Sequence, residues 1–161
     1  MRNAEGANAE GTTWALTGAR HAGITVSDLD RSLDFYVGTL GLELLWRRLY
    51  EEREIARIVG VPEATAFDIA MLRAPGGDLE VELLEYKGVE CRDASSRPCD
   101  FGAGHFAFFV EDIDGLYADL AARGVRFRSD GPVEMSAGPN RGAKSLYSLD
   151  PDGYVIYVAQ I

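Results

Sequence analysis

The chain contains two histidines, His21 and His105, and both open the same short pattern. His21 is followed by Ala-Gly-Ile-Thr-Val26-Ser-Asp28-Leu-Asp30, and His105 by Phe-Ala-Phe-Phe-Val110-Glu-Asp112-Ile-Asp114. Valine and the two aspartates stand at the same distances from each histidine. A helical pattern ending on a glycine, Gly41 or Gly124, follows in both copies. Self-similarity over about half a chain marks a duplicated structural unit. Neutral imidazole is the commonest side-chain ligand of divalent metals. A lone strand histidine is usually structural, but two at equivalent repeat positions point to a shared role.

Strand alternation adds a carboxylate to the pair. If 21–26, 79–86, 105–110 and 154–160 are strands, their side chains alternate between two faces. Ile24, Val26, Val81, Leu83, Phe106, Phe108, Ile156 and Val158 then form apolar faces suited to packing beneath helices. The opposite faces carry His21, Glu82, His105 and Tyr157, which converge if the four strands curl into one sheet. A Glu82 directed inward is costly unless it is paired or bound to a metal. Glu80, on the same face near the strand start, reads as solvated. Phe67, Met71, Trp46 and Phe109 are candidates for an apolar pocket, although core packing accounts for most of them. Arg141 and Lys144 follow a Gly-Pro-Asn loop, either as solvated charges or as contacts for an anionic substrate.

Each copy reads as strand, helix, strands. Ser27-Asp-Leu-Asp30 matches a capping box with Asp in place of Glu. Leu29, Leu33, Tyr36, Val37 and Leu40 make a helical stripe, as do Ile113, Leu116, Tyr117 and Leu120. Gly41 and Gly124 suit the left-handed position just past a helix. Further strands are predicted near 42–50, 66–73, 125–134 and 144–150, with a short inserted helix over 51–60. The organisation expected is a polar, flexible tail over 1–17 and one domain over 18–161. That domain comprises module one (18–86), a polar linker (87–103) and module two (104–161).

The 161 residues suit a single domain. With 26 acidic against 16 basic side chains and a formal charge of −10, nucleic acid and anionic membranes are poor partners. The N-terminus lacks the apolar stretch of a secretory signal, so a soluble cytoplasmic protein is expected. On that footing Cys91 and Cys99, both in the linker, read as free thiols rather than a bridge. No GxSxG elbow, P-loop, GxGxxG or HExxH motif is present.

The segments HAGITVSDLDRSLDFYVGTLGLEL, LEVELLEY, GHFAFFVEDIDGLYADLAARGVRF and LDPDGYVIYVAQ resemble the vicinal oxygen chelate superfamily, from His21 to Ile161. This superfamily includes glyoxalase I, methylmalonyl-CoA epimerase, extradiol dioxygenases, and fosfomycin and bleomycin resistance proteins. The resemblance implies an α+β fold of paired βαβββ modules, whose curved mixed β-sheets surround a cavity. It implies a homodimer and a small-molecule substrate. It also implies a divalent transition metal (Fe, Mn, Zn, Ni or Co) held by His21, Glu82 and His105. The family's fourth ligand, a Glu in a pattern like DPDGYxIEL, is replaced here by Tyr157, so classical glyoxalase I activity is not expected. Glu82 and Tyr157 are the candidate catalytic residues. The implied chemistry is a lyase, isomerase or epimerase reaction through a metal-stabilised enolate, or a dioxygenase reaction. The alternative is a non-catalytic binder of a small molecule such as an antibiotic.

Overall fold

The computed structural model describes residues 16–93 and 97–161. The tail read over 1–17 therefore lies almost wholly outside the described residues. From Ala22 onward the duplication appears as two sheets of identical plan. The first sheet has strand order β1-β4-β3-β2, from β1 (Ala22–Thr25), β2 (Glu43–Tyr50), β3 (Ala66–Arg73) and β4 (Glu80–Lys87). The second has order β5-β8-β7-β6, from β5 (His105–Phe109), β6 (Val133–Glu134), β7 (Lys144–Leu149) and β8 (Val155–Gln160). In each, the first strand pairs in parallel with the last, and the remaining pairs are antiparallel. These are the expected βαβββ modules with curved mixed sheets.

Alternation places the apolar faces as the sequence suggested. Ile24, Val26, Val81 and Leu83 of the first module share one core cluster with Phe106, Leu146, Ile156 and Val158 of the second. The helices α1 (Leu29–Leu33) and α3 (Ile113–Ala122) contribute Leu29 and Ile113, both fully buried, to the same cluster. After Leu33 the first helix continues as a π-helical segment, Asp34–Thr39. Its wider turn delivers Tyr36 into the core, and Gly41 ends it at φ 78°. Gly124 closes α3 at the same angle. A side chain is disfavoured at both positions because a Cβ crowds the left-handed backbone.

Two local expectations are corrected. The N-cap of the first helix is Asp28, which accepts from the Arg31 amide at 3.0 Å, and not Ser27. Ser27 is occupied elsewhere: its amide and hydroxyl both donate to the Asp152 carboxylate, at 2.8 and 2.6 Å. The strand expected over 125–134 is broken into an isolated bridge between Phe127 and Ser148 and the two-residue β6. Gly131-Pro132 lies between them, and proline cannot donate to a ladder.

The inserted helix is α2 (Arg53–Val59). Its Ala56 packs with Phe67 and Ile69 of β3, flanked by Leu84 and Tyr86 of β4. It thus covers one end of the first sheet's non-core face and leaves the other end to His21 and Glu82.

Candidate active site in two halves

The first half forms around the pairing of β1 with β4. Gly23 and Glu82 are register partners, and Glu82 is in turn opposite Met71, which is opposite Trp46. Cross-strand partners share a face, so these residues form one row on the side away from the core. His21, two residues before Gly23, reaches over it: its Nε2 lies 3.5 Å from Glu82 Oε2. Gly23 makes room for this, because a Cβ there would stand 3.2 Å from the same carboxylate oxygen. The His21 and Glu82 side chains are 28% and 22% exposed, which leaves both open to a ligand.

The second half forms around the pairing of β5 with β8. The His105 ring lies 6.2 Å from the Tyr157 ring and 5.6 Å from that of Tyr147, and the two tyrosines are 5.5 Å apart. The site residue missed from sequence is Tyr147. The signal was available: it is three residues before Asp150-Pro-Asp-Gly, and across that hairpin it is the register partner of Tyr157.

The structure brings His21 to Glu82 and His105 to Tyr157, but it does not bring the two pairs together within one chain. The four strands belong to two sheets and not to one. Among the described residues no group of three His, Cys, Asp or Glu is placed to hold a metal. Both sheets turn their helix-covered faces to one core, which puts the two site faces on its outside. The donor chemistry suits a divalent transition metal, with imidazole nitrogen and carboxylate oxygen side by side. One chain, however, supplies that donor set in separate halves.

Arg141 is exposed in the loop before β7. Glu80 pairs with Arg73 at 3.3 Å. Lys144 pairs with Asp114 at 2.5 Å and does not face the site. Phe67 is buried beneath α2, whereas Trp46 is 36% exposed and Phe109 80% exposed on their sheets. Cys91 and Cys99 are free and exposed.

Residues 18–158 match the model of the Glyoxalase/Bleomycin resistance protein/Dioxygenase superfamily. The chain is 32% identical over 136 residues to a 2-epi-5-epi-valiolone epimerase of Actinomyces sp, covering 83% of this chain and 73% of that protein. It is 31% identical over 144 residues to a lactoylglutathione lyase of Arabidopsis thaliana, covering 87% of this chain but only 43% of that longer protein. Among solved structures it is similar to a glyoxalase family protein from Bacillus cereus, with a TM-score of 0.77 and 22% identity over 92% of this chain and 96% of that one. At that identity the likeness is one of fold.

Proposed function

The chain belongs to the Glyoxalase/Bleomycin resistance protein/Dioxygenase superfamily, and from that premise we propose that it is a metal-dependent enzyme of the lyase or epimerase type, moving a proton next to the carbonyl of a small oxygenated substrate. The observation that carries the reading is the placement of Glu82 against His21 over the side-chain-free Gly23. Similarity to a protein named as an epimerase and another named as a lactoylglutathione lyase supports it. His21, Glu82 and His105 would hold one divalent transition metal, which as a Lewis acid supplies polarisation of a bound carbonyl oxygen.

The chain's own residues do the rest. Among the described residues, Glu82 is the carboxylate on this face with no arginine partner, unlike Glu80, and it accepts the substrate proton. His21 orients that carboxylate. The Tyr157 phenol donates a hydrogen bond to a substrate oxygen, a role a carboxylate cannot fill at neutral pH. Lacking the fourth carboxylate, the protein is expected to have negligible activity on the hemithioacetal of methylglyoxal and glutathione.

The division of the site implies its assembly. We propose a homodimer in which the His105–Tyr157 face of one copy meets the His21–Glu82 face of the other. The exposed Trp46 and Phe109 on those sheets support this. A second reading, a binder without catalysis, is favoured by the aromatic wall of Tyr147 and Tyr157 beside His105. Elemental analysis of protein purified without chelator or added metal decides between them. The enzyme reading expects about one transition metal per chain, lost in His21→Ala and in His105→Ala. Metal-free wild-type protein, or equal metal in all three, would overturn it.

A further inference from the structure

A cleft of about 850 Å³ lies where the β1–α1 junction and the linker meet the second module, and four arginines line it: Arg31, Arg92, Arg126 and Arg128. Its carboxylates are Asp93 and Asp152, so guanidiniums exceed carboxylates by two in a chain whose overall formal charge is −10. Arg31 is tied to Asp152. Among the described residues, neither Arg92 nor Arg126 has a carboxylate partner. A volume of this size is that of a small-molecule pocket.

The local fold sets the direction of two of these side chains. Around the Phe127–Ser148 bridge, the Leu149 amide donates to the Arg126 carbonyl and the Arg128 amide to the Tyr147 carbonyl, each at 2.9 Å. Phe127 packs on Tyr117 and joins the core, so Arg126 and Arg128 project from the opposite face. That face is the one carrying His105: Arg126 is opposite Leu149, Leu149 opposite Val155, and Val155 opposite His105. Three strand steps separate Arg126 from His105, about 14 Å at the usual interstrand spacing.

We propose that this cleft binds the phosphate group of a small phosphorylated molecule. Guanidinium forks match phosphate oxygens in charge and geometry, and an excess of two positive charges matches a dianion better than a carboxylate. The wider acidity of the chain repels anions elsewhere and confines their binding to this cleft. The inference rests on the proposed active site only for the far end of the molecule, which reaches toward His105; the anchor is independent of it.

The test is a calorimetric titration of the chelator-treated full chain with inorganic phosphate, metal being removed so that phosphate bound to it is not counted. Wild type is expected to saturate in the millimolar range, and acetate to bind more weakly. Arg126→Gln and Arg92→Gln should each weaken phosphate binding by about tenfold, with partial recovery in Arg126→Lys. His105→Ala should bind phosphate like wild type, while its metal content, measured without chelator, reports separately on the active-site reading. No saturation by phosphate, acetate binding as tightly as phosphate, or both glutamine variants behaving as wild type would each overturn the anchor. Loss of phosphate binding in His105→Ala would place the anion at the metal centre and overturn it equally.

Discussion

Tyr157 separates this chain from the pattern its superfamily resemblance implies. A carboxylate with a pKa of about 4 is ionised at neutral pH, whereas a phenol with a pKa of about 10 is not. Tyr157→Glu is therefore expected to tighten metal binding by roughly tenfold, or about 1.4 kcal/mol, by adding an anionic ligand beside His105. It should weaken native-ligand binding by removing a hydrogen-bond donor. Metal titrations of both proteins in one buffer check this, and unchanged affinity would mean that residue 157 does not reach the metal. A second residue-scale prediction concerns Asp68, which is nearly buried and receives two hydrogen bonds from Arg47, at 3.1 and 2.8 Å. That pairing holds its carboxyl below the usual range. Because the folded pKa is the lower one, the contribution to stability is present above the unfolded value of about 4 and lost as pH falls through the folded value. Asp68→Asn should cost about 1 kcal/mol at pH 7, since the partly exposed arginine weakens the pair. The cost should shrink toward zero near pH 2. Urea midpoints at both pH values decide it, and an equal loss at both would remove charge from the account.

At the scale of elements, the duplication extends to how each helix begins. The first amide of α1, on Leu29, donates to the Glu85 carboxylate at 3.0 Å, and the first amide of α3, on Ile113, donates to the Gln160 side-chain oxygen at 2.9 Å. Glu85 stands three residues after Glu82, and Gln160 three after Tyr157. The last strand of each module thus presents a candidate site residue on one face and a helix cap on the other. Glu85→Ala should cost about 1–2 kcal/mol, because it leaves a part-buried helix-start amide without an acceptor. Gln160→Ala should cost less, since a neutral acceptor makes the weaker bond. Thermal unfolding of the two variants checks the order. Neither cap was legible in sequence, where local spacing pointed only to a capping box of Ser27 and Asp30. A cap supplied from 47 or 56 residues away leaves no periodic trace.

At the scale of the molecule, the proposed split site makes a prediction that a self-contained site does not share. His21→Ala and His105→Ala should each lack metal. Mixed and refolded together, they form heterodimers in which one of the two sites has both histidines intact, so metal should return to about half the sites of each heterodimer. Sedimentation of the wild type should show a dimer at micromolar concentration. Failure of the mixture to regain metal would mean that the halves do not meet between copies. The modules themselves are joined by Tyr36, fully buried in the first, whose hydroxyl donates to the buried Asp150 of the second at 2.9 Å. Burial raises the Asp150 carboxyl above its usual range.

His21, Glu82, His105 and Tyr157 were legible as candidates because strand alternation is local: a side chain's face follows from its own position in the strand, whatever the strand pairs with. The same applies to the two helices, to their closing glycines at 41 and 124, and to the repeat. Which strands share a sheet is a different kind of fact, set by contacts far apart in sequence and by one core common to both modules. That core decided that the two halves of the candidate site lie apart in a single chain. It also decided that Tyr147 stands beside His105 and that four arginines drawn from both modules and the linker line one cleft. Each of these depends on packing between segments whose sequences carry no record of one another.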